Sequence, residues 1–220
     1  MRILSWPAGL VLAVASVAAG AKPIAYQNGS TVMFEYGGET MQEAQVFHAP
    51  RYWWSGGAGW LRLEADDGAF AREITYARLN LLVKRWNLPG AQANVFAWGG
   101  AGTARGSDFG GSTFAPNAGL QADYETRRVY GSLKSDYQYS RHYAHRIDTL
   151  QLGLAPYEHE YGTPALWFLV QGRTYTGGLY DDPEAALLLR LFQAWSWGSA
   201  WGEAGVTQDG AVQSMFMFNF

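Results

Sequence analysis

The chain has 220 residues, with 16 Lys and Arg against 19 Asp and Glu, a net charge of −3, and 48% hydrophobic residues. Such a balance gives no electrostatic reason for a nucleic-acid partner. The absence of cysteine excludes a disulfide framework, a thiolate metal site and a lipidated cysteine anchor.

At the N-terminus, Met1 and Arg2 make a short charged start. Ile3 to Val17 follow as an apolar run interrupted by Ser5, Pro7 and Ser16, and Ala19-Gly20-Ala21 fits a small-x-small cleavage pattern. Residues 1–21 therefore read as a signal peptide that is removed, and residues 22–220 as one domain. An uncleaved N-terminal anchor is the competing reading, but the run is short for a membrane helix. Beyond it, no segment offers the roughly 20 consecutive apolar residues that a spanning helix needs. Ten Trp, 13 Tyr, 11 Phe and 27 Gly, with only 16% charged residues, suit a strand-rich chain with one face in an apolar medium. A mean hydropathy of −0.16 is compatible with this, because alternation hides an apolar face from any average.

After Lys22 the pattern alternates and is punctuated by Gly, Pro, Asp and Asn. Strands are predicted over 30–37, 42–49, 57–66, 71–86, 91–102, 116–125, 127–139, 143–155, 163–175, 185–196, 199–208 and 211–220. That makes twelve, or ten or eight if short segments merge. If both chain ends lie in the periplasm, the tight connections at 87–90 and 125–126 fall on that side. The longer stretches 106–116 and 176–184 then fall outside as exposed loops. Asp209-Gly210 fits a type I′ hairpin turn. The 50–57 connection either extends its flanking strands or folds against the periplasmic rim. The run Leu187 to Leu191 is apolar on both faces until Arg190, so a short helix at 183–195 competes with a strand there.

Parity sorts the side chains. Val129, Gly131, Leu133, Tyr137 and Tyr139 share one face of their strand, opposite Arg128, Ser132, Lys134, Asp136 and Gln138. Leu61, Leu63 and Ala65 oppose Trp60, Arg62 and Glu64. Ala77, Leu79, Leu81 and Val83 oppose Arg78, Asn80 and Lys84, and Leu166, Phe168 and Val170 oppose Gln171 and Arg173. Arg146 and Asp148 share parity with Leu150, Leu152 and Leu154, at a position expected near the headgroups. Arg or Lys at a lipid midplane costs about 2–4 kcal/mol, which accounts for charges avoiding one face.

The last strand alternates Phe216, Phe218 and Phe220 along one face and stops on the terminal Phe. In this it resembles bacterial outer-membrane β-barrels, which commonly close on a terminal Phe with aromatics at alternate positions before it. The resemblance implies an all-β, antiparallel transmembrane barrel in the outer membrane of a Gram-negative bacterium. It also implies contact with outer-membrane lipid, and with the barrel-assembly machinery through the C-terminal strand. Tyr137, Tyr139, Phe216, Phe218 and Phe220 are then the membrane-interface aromatics. A secreted β-sandwich would alternate too, but would need neither aromatic strand ends nor a terminal Phe.

The segment Ser140-Arg-His142-Tyr-Ala-His145-Arg-Ile-Asp148 is the one local cluster holding nucleophile, base and acid types together. Some barrels of this architecture are outer-leaflet lipid enzymes. His142 and His145 have opposite strand parity, however, so polar rim residues are the simpler reading. Gly99 to Gly102 and Gly110-Gly111 lack phosphate-loop context, and the Trp195 to Trp201 run reads as an aromatic girdle before a sugar platform. Neither a metal nor a cofactor is indicated. The predicted lumen carries Arg62, Glu64, Arg78, Lys84, Arg128, Lys134, Asp136, Arg173, Arg190 and Glu203, with Glu35 and Asp123, narrowed by Trp60, Tyr76 and Trp167. Two readings follow from this balanced lining: a narrow pore for a small polar solute, or a filled interior whose charges pair and only hold the barrel together.

Overall fold

The computed structural model describes residues 22, 24, 26–160 and 162–220. The predicted signal peptide lies outside the described residues. Twelve strands follow in order: β1 (Gly29–Gly37), β2 (Met41–Arg51), β3 (Trp54–Glu64), β4 (Ala71–Leu88), β5 (Ala91–Gly106) and β6 (Phe109–Thr126). They continue with β7 (Val129–Tyr139), β8 (Ala144–Leu154), β9 (Ala165–Tyr175), β10 (Glu184–Trp195), β11 (Gly198–Thr207) and β12 (Val212–Asn219). Each pairs antiparallel with its neighbours in sequence, and β12 pairs with β1 to close the barrel. Closure leaves no unpaired sheet edge.

The aromatic last strand makes that closure. Phe34 sits opposite Phe216 and Val32 opposite Phe218, while Ser30 and Phe220 exchange backbone hydrogen bonds of 2.7 and 3.0 Å. An even strand number brings Lys22 and Phe220 to the same end of the barrel, here the terminal end. Connections at this end are two residues long at 52–53, 89–90, 127–128 and 196–197, while 155–164 is longer. In the turn at 89–90, Pro89 presets the first position and Gly90 takes the second at φ +71°, a value that favours glycine. The 50–57 stretch is strand on both sides of Tyr52-Trp53.

At the distal end the stretch 106–116 is a hairpin and not a loop. β5 and β6 run on to a two-residue turn at Ser107-Asp108, so with β4 they are the longest strands. Small residues permit the close pairing there, since a Cβ on Gly102 would run into the Thr75 carbonyl oxygen. The turn at Asp209-Gly210 is not type I′, because Gly210 alone takes positive φ (+81°). The Gly210 N–H donates to Thr207 O at 3.0 Å and the Thr207 N–H to Ala211 O at 2.9 Å, which is a wider turn. Residues 184–195 are strand throughout, with Leu187 and Leu189 outward and Leu188 and Arg190 inward.

Outside, the barrel presents an apolar band. Leu133, Leu152, Val170 and Leu187 are 55–66% exposed, far beyond what scattered surface residues explain. Aromatics rim the band. Trp195, Trp197, Phe218 and Phe220 form a chain of ring contacts at the terminal end, with centroids 5.5–5.8 Å apart. Tyr137 and Tyr139 stack 6.4 Å apart towards the distal end. Arg146 and Asp148 pair at 2.9 Å on the outward face, with Arg146 opposite Tyr137. No helix among the described residues is long and apolar enough to cross a membrane, which says nothing of strands.

Candidate functional site: the lumen

Inward side chains cluster towards both ends of the lumen, with a cavity between the clusters. At the terminal end Lys22 and Ile24 lie in the barrel mouth. Ile24 is 1% exposed and packs with Ala49, Phe96 and Leu82. The Lys22 ammonium pairs with the buried Glu125 carboxylate and donates to Gln92 Oε1 at 3.0 Å. A second cluster lines the wall from β7 to β12, where Trp167, Phe192, Trp201, Met215 and Met217 surround Arg190. The Arg190 guanidinium lies 4.2 Å from both the Tyr130 and Trp201 ring centroids and 2.7 Å from Glu203. A charge this deeply buried is tolerable only when paired and bonded, and Glu203 also accepts from Trp201 Nε1 at 2.9 Å.

Above these clusters runs a belt of amides and ion pairs. Gln151 donates to Gln171 Oε1 at 2.8 Å and to Glu203 at 3.1 Å; Gln171 donates to Gln213 at 2.8 Å, and Gln213 to Glu184. Arg173 pairs with Glu35. Arg78 reaches Asp136 at 3.4 Å and Asn117 at 3.2 Å, between the rings of Tyr76 and Trp98. Tyr76 donates to Glu43 at 2.5 Å. The cavity, about 100 Å³, is lined by residues of this belt and by Met33, Phe47, Leu188, Met215 and Met217.

The distal end carries a cap. Arg72 lies 3.7 Å from the Phe70 ring centroid and 4.8 Å from that of Tyr143. Its Nη2 is 2.5 Å from Asp108 Oδ2, and its Nη1 donates to His145 Nε2 at 2.5 Å. His145 Nδ1 then donates to Thr176 O at 3.1 Å, which fixes the tautomer. Phe109 stacks on His142 at 4.6 Å, and Leu179 is fully buried beneath. Tyr143, burial raising its phenol to about 12, completes the apolar cover. Residues from four distal connections and their strand ends thus meet over the opening.

Of the expected lumen residues, Arg78, Lys134, Asp136, Arg173, Arg190 and Glu203 point inward, with Glu35, Asp123, Tyr76 and Trp167. Five expected positions are corrected. Arg62 and Glu64 are on the outward face near the distal end, where Arg62 pairs with Glu64 at 2.7 Å and Glu73 at 3.5 Å. Leu61 and Leu63, at 2% and 0% exposure, face inward beneath the cap, and Trp60 therefore faces out. Lys84 is turned outward by a bulge between Leu82 and Lys84 and lies 5.9 Å from the Trp86 ring. Arg128 sits in the terminal-end turn and donates to Ala155 O and Pro156 O at 3.4 Å.

The Ser140 to Asp148 segment does not assemble as a hydrolytic site. Ser140 Oγ accepts from the backbone N–H groups of His142 and Tyr143 at 3.0 and 3.3 Å, a turn-forming role. His145 is committed to Arg72 and Thr176, His142 is stacked on Phe109, and Asp148 is paired outside with Arg146. Among the described residues no group of His, Asp and Glu is arranged to hold a metal ion. Sequence reasoning missed Arg72, Asp108, the Gln151–Gln171–Gln213 relay and the Lys22–Ile24 plug. Only the relay had a usable signal, the shared parity of Gln171 and Arg173.

No family model matches the chain, and no curated protein matches it. Among solved structures it is similar to a KdgM porin, at 10% identity and TM-score 0.47, covering 87% of this chain and 96% of that one. A loop L8 deletion mutant of OmpT, an outer membrane protein of Vibrio cholerae, gives 7% identity and TM-score 0.33, covering 88% and 96%. At such values neither likeness bears on what this chain does.

Proposed function

We propose that the chain is a bacterial outer-membrane barrel that gives a small polar solute restricted passage. The distal end then faces the exterior, the terminal end faces the periplasm, and β12 is the strand presented to the assembly machinery. The observation that carries the reading is a cavity at mid-barrel with both polar and apolar lining, held between two clusters of separate side chains. A barrel needing only a filled interior would have little use for unpaired donors around a void. The apolar band and its aromatic rims support a bilayer as the surrounding medium. Passage requires the distal cap and the Ile24 plug to part.

The second reading is a structural barrel that passes nothing. It is favoured by the pairing of Arg190 with Glu203, Arg173 with Glu35 and Arg78 with Asp136 across the interior. Single-channel recording in planar bilayers separates the two. Discrete openings of a folded preparation support passage, and silence at every voltage favours the structural barrel.

A further inference from the structure

We propose that the mid-barrel cavity is a binding site for a small aliphatic monocarboxylate, with Lys134 as its counter-ion. The inference deepens the reading of the lumen as a solute path and takes its physiological role from that reading. Three of the residues lining the cavity carry a buried polar atom with no partner: Gln45 Nε2, Trp98 Nε1 and Arg173 Nε. All three are donors, on side chains that are 7%, 6% and 5% exposed. Lys134 lines the same cavity and has no hydrogen bond or ion pair among the described residues.

The carboxylates on the cavity lining and three of its amide carbonyls are already engaged. Glu35 is held by Arg173, and Glu203 by Arg190, Gln151 and Trp201. The carbonyl oxygens of Gln151, Gln171 and Gln213 accept from Arg190, Gln151 and Gln171. A guest that brings acceptors therefore satisfies the three unpartnered donors. The Lys134 ammonium, whose charge reaches Glu35 without a direct ion pair, offers the cavity a cation for a guest's negative charge. The apolar part of the lining, Met33, Phe47, Leu188, Met215 and Met217, calls for an apolar body on the guest. A short alkyl carboxylate has both parts, while inorganic phosphate and sugar acids lack the second.

Titrating potassium butanoate into the full-length protein folded in detergent, followed by calorimetry, tests this. The expected result is saturable binding of one butanoate per barrel, with butanamide, gluconate and phosphate weaker. Lys134→Gln should weaken it by about tenfold or more, as loss of a charge-assisted hydrogen bond implies. Trp98→Phe keeps an aromatic side chain, though a smaller one, removes the indole N–H donor, and should weaken binding severalfold. Heat-modifiable gel migration reports that both variants still fold. Absence of saturable binding, equal binding by Lys134→Gln, or tighter binding of gluconate or phosphate overturns the site. Binding in a barrel that never conducts would leave this site standing and remove passage, whereas conductance without binding would do the reverse.

Discussion

Arg72 and Asp108 meet in a two-pronged ion pair, Nη2 to Oδ2 at 2.5 Å and Nε to Oδ1 at 3.2 Å. The contact fastens the distal end of β4 to the β5–β6 turn, directly over the lumen. Phe70 and Tyr143 sandwich the guanidinium, so the latch and the apolar cover are one structure. Hydrogen bonds from Arg72 hold the Asp108 carboxyl below its ordinary range. A depressed carboxylate contributes above its unfolded pKa, and that contribution is lost as pH falls through the folded value. The latch should therefore persist through the ordinary aspartate range near about pH 3.9 and fail only below it. Asp108→Asn should loosen it at neutral pH, seen as more frequent openings in bilayers and faster protease nicking at Ser107-Asp108. Unchanged openings and nicking would show that the cap does not depend on this pair.

Arg190 and Glu203 make the opposite kind of pair, deep inside and bracketed by Tyr130 and Trp201. Removing one partner leaves the other charge buried without compensation. Arg190→Ala should cost about 3–5 kcal/mol in urea unfolding from lipid vesicles, and Arg190→Met with Glu203→Leu much less. Equal losses would show that packing, and not charge, is what matters there.

On the outward face, Leu152→Arg should cost about 2–4 kcal/mol in the same assay, the penalty for a cation at the bilayer midplane. Tyr139→Arg, near the distal rim, should cost about 0–1 kcal/mol. A flat response along β7 and β8 would mean that no hydrocarbon surrounds them.

The plug before β1 rests on Ile24 and on the Lys22–Glu125 pair. Ile24→Asp should expel it without unfolding the barrel, raising open probability while heat-modifiable migration stays unchanged. If openings do not change, the terminal end is closed by the wall cluster around Trp167 and not by the plug.

Strand existence was legible because each segment alternates and each gap holds turn formers. All twelve strands were readable, and edges shifted mainly where hairpins continue past the apolar band, as at β5 and β6. Facing was less legible, for two physical reasons. At β3 the rule of apolar residues outward fails beyond the apolar band, where Leu61 and Leu63 serve the inner cap and Arg62 pairs sideways with Glu64 and Glu73. At β4 one inserted residue at Val83 reverses parity, so Lys84 leaves the face that Arg78 and Asn80 occupy. The cap was hidden for another reason: Arg72, Asp108 and His145 come from segments far apart in sequence, and no local pattern joins them.

The absence of cysteine makes single-cysteine labelling direct, and it tests the central claim that lipid covers the outward leucines. A bimane label at Leu133, Lys134, Gln151, Leu152, Leu189 or Arg190, in vesicles with brominated acyl chains, reads contact with hydrocarbon. Quenching at 133, 152 and 189, with none at 134, 151 and 190, is the predicted result. Equal quenching at all six, or none at any, would contradict a lipid-embedded barrel.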